Sequence, residues 1–332
     1  MSLKPVRPSG PAQHRTSCAV DAAAPAGVLY ALVADTTHWP LFLPHALHVE
    51  PLDADGDRDR FCLWSAAPGE GGAVTSSRWR RSLDAGALRV GFHQEDPQAP
   101  FTSVSGRLGV SELAPGWSRL TLEQESTLSG ARTAATERAL AAAGRAARAA
   151  LDGLRAAAER WTALDGLLMT FQDRVRVPGS GEQLLEFLYG VNSWPGRVPH
   201  VVRADVTEER PGVQRAALVR LNGDGCAYTT QSLRLCFPAA GRIVHKQIRP
   251  HPLLAAHTGE WSVLPDPGAG CTVVSRHSVL LDGRAVERVL GPGADPGSAR
   301  RHVRELLGRE SAAVLGPARQ AAGEAARTLR SV

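Results

Sequence analysis

Apolar and polar residues alternate along this chain in short runs, broken by turns rich in Gly and Asp. Twice these runs give way to a long stretch with apolar residues at every third or fourth position. A period of two marks a half-buried strand, and a period near 3.6 marks a helix with one buried stripe. In the first half this predicts a strand over 16–20, a helix over 25–34, and strands over 47–52, 60–66, 73–83, 88–94, 102–113 and 118–128. A helix over 133–164 follows, with Leu140, Ala147, Leu151, Leu154, Ala158 and Trp161 as its stripe. Pro25 suits a first helical turn, whereas Pro40 and Pro44 cut the next stretch into short pieces. The second half predicts a strand over 167–177, a helix over 182–191, and strands over 201–207, 214–222, 226–236, 242–247, 254–264 and 271–281. A Gly- and Pro-rich loop over 291–297 precedes a last helix from about Ser298, which Gly316-Pro317 kinks or ends.

The two halves share more than element order. His38-Trp39-Pro40-Leu41-Phe42-Leu43-Pro44-His45 is echoed by Ser193-Trp194-Pro195-Gly196-Arg197-Val198-Pro199-His200, with Trp and His both displaced by 155 (194 − 39 and 200 − 45). A WPxxxPH pattern recurring in register indicates duplication. We therefore expect a tail at 1–12 without structure and two homologous domains, 13–164 and 165–330. A curved antiparallel sheet cannot bury its concave face alone, so each long helix must cover its own sheet. The class is α+β, with a cavity between sheet and helix of the kind that holds ligands.

Composition narrows the function. At 332 residues and 43 % hydrophobic, the chain has material for about two packed domains. No apolar run reaches the roughly 18 residues of a membrane span, and the first residues lack a secretory core, so the expectation is a cytoplasmic protein without membrane contact. The five cysteines form no CxxC pair, which argues against a zinc ribbon or a disulfide scaffold. The net charge is +5, but its arginines are scattered, and no basic stripe points to nucleic acid.

The first half carries Val33-Ala34-Asp35-Thr36-Thr37-His38-Trp39-Pro40, then His48-Val49-Glu50 and Arg80-Arg81-Ser82-Leu83-Asp84. The second carries Trp194-Pro195 through Pro199-His200, Thr229 through Pro238, and Arg242-Ile243-Val244-His245-Lys246-Gln247. It continues with His257-Thr258-Gly259-Glu260-Trp261 and Ser275-Arg276-His277. In this order the set resembles the didomain aromatase/cyclases of bacterial aromatic (type II) polyketide synthases, over nearly all of residues 14–325. These belong to the START/Bet v 1-like superfamily. The resemblance implies tandem helix-grip domains. The implied substrate is a ketoreduced poly-β-ketone on an acyl carrier protein, which undergoes first-ring aldol closure and then dehydration. It implies the other synthase subunits as partners, and no cofactor or metal. Non-catalytic carriers of polyketides or lipids occur in the same superfamily and form the alternative.

Such chemistry needs a base for an activated methylene, cationic donors for the enolate, and an acid for the departing hydroxyl. Alternation places Ser77, Trp79 and Arg81 on one strand face and Arg78 and Arg80 on the other. The resemblance puts a pocket arginine at Arg81, or at Arg80 if the register slips by one. Trp79 would be a flat wall, displaced from the family's tryptophan position, where this chain has Ser77. In the second half Tyr228, Thr230, Ser232 and Arg234 form a polar row that faces either cavity or solvent. Tyr228 stands where relatives often have histidine. His277 is a catalytic candidate or a structural histidine. His257 and Trp261 are candidate cavity residues, and Trp261 is equally a core candidate. Trp39 and Trp194 plug either the core or the cavity end, and Glu125 is a possible dehydration acid. Leu108 and Gln124 stand where the second half has Trp261 and His277, at an offset of 153, so the two pockets are expected to differ in task.

Overall fold

The computed structural model describes residues 12–67, 72–130, 132–221, 225–267 and 270–328. It divides into two compact units, Met1–Thr162 and Ala163–Val332. The expected tail over 1–11, and the predicted strand end at Asn222, lie outside the described residues.

The first unit runs β1 (Ala12–Ala22), α1 (Ala26–Ala34), a 3-10 turn (Thr36–His38), α2 (Trp39–Phe42), β2 (Ala46–Asp55), β3 (Arg58–Ala66) and β4 (Val74–Asp84). It continues with β5 (Arg89–Gln94), β6 (Phe101–Ala114), β7 (Trp117–Leu128) and α3 (Ala134–Ala158). Its antiparallel sheet has the order β1-β7-β6-β5-β4-β3-β2. After α4 (Trp161–Leu167) come β8 (Leu168–Val177), α5 (Gly181–Tyr189), a 3-10 turn (Val191–Ser193), β9 (Val201–Arg210), β10 (Val213–Leu221) and β11 (Ala227–Phe237). A 3-10 turn (Pro238–Ala240), β12 (Arg242–Arg249), β13 (Leu254–Pro265), β14 (Cys271–Leu281), α6 (Val286–Leu290) and α7 (Pro296–Thr328) complete the chain. The second sheet, β8-β14-β13-β12-β11-β10-β9, repeats the first in order and sense.

The WPxxxPH repeat has a shared physical meaning. The Trp39 indole donates to the Leu32 carbonyl at 3.2 Å, and the Trp194 indole donates to the Phe187 carbonyl at 3.0 Å. Each tryptophan thus satisfies a carbonyl in the last turn of the helix before it, where intrahelical partners run out. The prolines then end the helical stretch.

Three expectations change. Ala12, assigned to the tail, begins β1. The helix expected over 133–164 stops at Ala158, where Arg160 donates to the Ala156 carbonyl at 2.9 Å and closes the last turn. Trp161 therefore leaves the stripe, opens α4, and is 43 % exposed. At the far end, α7 runs through Pro317 rather than ending there. Val314, Leu315 and Ala318 around it are buried in the core, so packing outweighs the missing amide. That helix starts where Asp295 accepts from the Ser298 amide (2.7 Å) and Ser298 Oγ accepts from the Asp295 amide (3.0 Å), a reciprocal cap.

Candidate active site

Directly opposed residues of neighbouring strands point to the same face, so register alone assembles a row across each sheet. In the second unit the row reads Gln214, Arg234, His245, Gly259, His277 and Phe171. In the first it reads Asp59, Arg81, Phe92, Gly106, Gln124 and Thr16.

Arg234, His245 and His277 of the second row line a small, partly open cavity of about 60 Å³. The candidates Trp194, Thr230, Ser232, Arg234, His257, Trp261 and His277 all contribute to its wall. The polar row of β11 therefore faces the cavity from Thr230 to Arg234. Helix α7 supplies Leu307, Glu310, Ser311 and Val314, the spacing of one helical stripe.

Within this wall a buried polar chain connects sheet to helix. Ser275 Oγ lies 3.1 Å from Ser311 Oγ, and Ser311 Oγ lies 2.9 Å from His277 Nε2. Ser275 Oγ is also 3.0 Å from His277 Nε2. His277 Nδ1 is 3.0 Å from His257 Nε2, and His257 Nδ1 has no partner. The His245 ring meets His257 edge-on, at 5.5 Å between centroids. Burial pushes all three imidazoles down: His277 to about 4, His245 to about 3, and His257 well below its ordinary value. They are neutral at pH 7. Nearby, Glu310 accepts from the Tyr228 hydroxyl and pairs with Arg220. Burial and the Glu310 carboxylate together push the Tyr228 phenol up, so it remains a proton donor.

Both arginines on the inner strand face are buried, at 4 % exposure for Arg81 and 5 % for Arg234. Arg81 donates from Nη1 to the Val33 carbonyl (3.0 Å) and from Nη2 to the Ala34 carbonyl (2.8 Å), the last two residues of α1. Its Nε and Nη2 grip both Asp59 carboxylate oxygens. Its guanidinium also lies over Trp39 and Phe61, at 5.6 and 5.2 Å from the ring centroids. The Arg81 predicted to polarise carbonyls thus gives four of its five N–H donors to α1 and Asp59, and Trp39 packs on it. Arg80 points outward and is exposed, which corrects the alternative register. The Trp79 indole donates to Ser77 Oγ at 2.7 Å and meets Phe92 edge-on at 5.8 Å, which engages both candidates with neighbours of their own unit. Glu125, considered as an acid, is exposed and paired with Arg15 at the edge of an open cleft. A more open cleft of about 640 Å³ runs past Phe92, Gly106 and Gln124.

Tyr228 sits beside the cavity through its bond to Glu310. Sequence reading did not single out Glu310, Ser311, Arg220 or Gln214, and it met Ser275 and His245 only among the residues that carry the resemblance. The stripe spacing of Leu307, Glu310, Ser311 and Val314 was the available signal for the helix pair. Among the described residues, no group of three or more His, Cys, Asp or Glu side chains is arranged to hold a metal ion, and no helix is long and apolar enough to cross a membrane.

No protein-family model matches the chain. The actinorhodin polyketide synthase bifunctional cyclase/dehydratase of Streptomyces coelicolor is 36 % identical over 327 residues, covering 96 % of this chain and 99 % of that protein. The granaticin polyketide synthase bifunctional cyclase/dehydratase of Streptomyces violaceoruber is 33 % identical over 322 residues, covering 97 % and 98 %. Among solved structures, the di-domain ARO/CYC StfQ from the steffimycin biosynthetic pathway matches with a TM-score of 0.79 at 31 % identity, over 94 % of this chain and 99 % of that one. BexL, the di-domain ARO/CYC from the BE-7585A pathway, matches with the same TM-score and identity over 93 % and 98 %. The similarity covers 96–97 % of this chain, and the chain belongs to the bifunctional cyclase/dehydratases of polyketide synthases, with the di-domain aromatase/cyclase fold.

Proposed function

We propose that this enzyme closes and dehydrates the first ring of a ketoreduced poly-β-ketone delivered on an acyl carrier protein, and that the chemistry runs in the cavity of the second unit. The observation that carries the assignment is the buried chain Ser275–Ser311–His277–His257 sharing one cavity wall with Arg234. A carrier needs apolar walls and no such chain. The protein works beside the other synthase subunits in the cytoplasm.

Neutral His277 takes a proton from the methylene between two carbonyls, directly or through the Ser311 hydroxyl. The enolate carbon attacks the acceptor carbonyl, and the new alkoxide recovers the proton from the imidazolium. For dehydration, His277 takes a second carbon-bound proton and returns it to the departing hydroxide, which leaves as water. A base held near 4 is weak against such a methylene. The transfer becomes feasible because it creates an imidazolium facing an enolate, with Arg234 sharing the negative charge in a water-poor space. Ligand pockets usually measure about 300–1,000 Å³, so the walls around the present 60 Å³ must part to admit substrate.

The test is mass spectrometry of products from a reconstituted minimal synthase plus ketoreductase, with and without this protein. The expected outcome is a shift from miscyclised shunt products to a compound with an aromatised first ring, one water lighter. An unchanged profile overturns the reading.

A further inference from the structure

Among the described residues, four buried side-chain polar atoms have no hydrogen-bond partner: Gln183 Oε1, Arg220 Nε, Gln247 Oε1 and His257 Nδ1. Three of the four belong to residues that line the second cavity. Nearly all buried polar groups in folded proteins are paired, so unpaired ones gathered at a cavity point to a partner that arrives from outside. Arg220 is already committed to Glu310 through Nη1. Gln247 and His257 are the pair left, at 9 % and 1 % exposure.

Register sets these two side by side. Lys246 is opposed to Thr258, so the next step along the two antiparallel strands brings Gln247 beside His257 on the inner face. On its other side Gln247 is opposed to Ser232, which also lines the cavity. The free atoms of Gln247 and His257 do not bond to each other. A glutamine Oε1 can only accept. The part played by His257 Nδ1 follows from its neighbour. For His277 to act as a base at Nε2, its own proton must sit on Nδ1, which lies 3.0 Å from His257 Nε2. Neutral His257 then carries its proton on Nδ1 and can only donate there. A buried acceptor and a buried donor are therefore both left open. One kind of atom satisfies the two together: a hydroxyl oxygen, which accepts from the imidazole and donates to the amide. A ketone oxygen has no hydrogen to give and leaves Gln247 unpaired.

We infer that Gln247 and His257 are a specificity pair that reads the alcohol left on the chain by ketoreduction and selects reduced over unreduced poly-β-ketones. This rests on the cavity assignment above and adds to it the residues that recognise the reduced carbon. A site built to bond a hydroxyl rejects the analogue that lacks it, because its own buried groups stay unpaired. The first unit keeps half of the pair. At an offset of 153, Gln94 matches Gln247, but Val104 replaces His257, and Trp79, opposed to Gln94, replaces Ser232.

The experiment uses the full chain and two probes that differ only at one oxygen, 4-phenylbutan-2-ol and 4-phenylbutan-2-one, with affinities from ligand-observed NMR. The wild-type protein is expected to bind the alcohol about tenfold more tightly or better, the worth of a hydrogen bond to a buried group. Water offers the same hydroxyl chemistry, but both probes compete with it equally, so their ratio reports the substrate group. Gln247→Met removes the acceptor at nearly constant length and is expected to bring the two affinities together. It deletes an unpaired buried oxygen, so its thermal midpoint is expected to hold or rise, whereas loss of a structural glutamine would lower it. In the reconstituted synthase, Gln247→Met is expected to lower aromatised product from the reduced chain about tenfold or more. Product from the unreduced chain, made without ketoreductase, should stay as it was. Equal probe affinities in the wild type, or a preference that survives Gln247→Met, overturn the inference. Equal loss of product from both chains also overturns it, since the pair would then read a hydroxyl that the aldol step itself makes. A wild-type protein that prefers the alcohol probe yet yields no aromatised product sinks the proposed reaction and keeps the subsite.

Discussion

Three histidines line the inner face of the second unit, and the three corresponding positions of the first carry none. His245, His257 and His277 correspond, each at an offset of 153, to Phe92, Val104 and Gln124. Ser275, which completes the polar chain, corresponds to Leu122. Even the ring stacking is kept. A Cβ on Gly259 would lie 2.3 Å from His245 Cε1, and a Cβ on Gly106 would lie 2.6 Å from Phe92 Cζ, so both glycines leave room for a flat ring. The same steric mould thus holds an imidazole in one unit and a phenyl in the other. The helix-fastening tryptophans and arginines are common to both, so architecture and chemistry reside in separable sets of residues.

Making the second row resemble the first should have the largest effect. His277→Gln copies Gln124 and is expected to lower the rate of aromatised product by about 10²–10⁴-fold, the usual worth of a positioned general base. Thermal unfolding should shift far less, and mass spectrometry of the products would show whether activity alone is lost. The converse change, Gln124→His, is expected to add no activity, because the first unit has Leu122 where the second has Ser275.

The glycines sharpen the comparison. Gly259→Ala forces His245 off its seat and is expected to cost about 1–3 kcal/mol of stability together with activity. Gly106→Ala meets backbone, with the Glu123 carbonyl 2.2 Å from the added carbon, and is expected to destabilise the first unit while turnover by the folded fraction is unchanged. Calorimetry beside product analysis would separate the two effects.

Acid should distinguish the units next. An unfolded histidine titrates near 6.5, whereas folded His277 is held at about 4. Above pH 6.5 neither state is protonated, and the shift costs nothing. Between 6.5 and 4 the unfolded chain takes up a proton that the folded chain refuses, so stability falls with pH, by about 3 kcal/mol for His277 alone. His38 in the first unit moves the other way, because Asp35 raises it. Its contribution is complete below 6.5 and lost as pH rises through its folded pKa. Denaturant titrations at pH 7 and 5 should find the second unit weakened more than the first.

The smallest effect concerns what the units share. Trp39→Phe and Trp194→Phe each remove one indole-to-carbonyl bond and should cost about 1 kcal/mol apiece by urea unfolding. A markedly larger loss from either would mean that the fastening is not equivalent.

Strand order, the duplication and the polar row of β11 were legible because alternation and the WPxxxPH spacing are local patterns. The role of Arg81 was not, because nothing local reveals that Asp59, on the neighbouring strand, would consume the edge of its guanidinium. Glu310 and Ser311 were hidden for a related reason. They belong to the cavity only because α7 lies over the sheet, and Pro317 suggested a helix that weakens soon after them. Tertiary packing decided both cases.

The small volume of the second cavity bears on time as much as on space. A poly-β-ketone has many pairs of carbons able to join, and in water every pair competes. On the assignment proposed above, a chamber of about 60 Å³ must widen before it can select one pair. The interval for which it stays open is then the window for wrong rings, and the fidelity of the first ring is a race between the wall returning and the chain folding on its own.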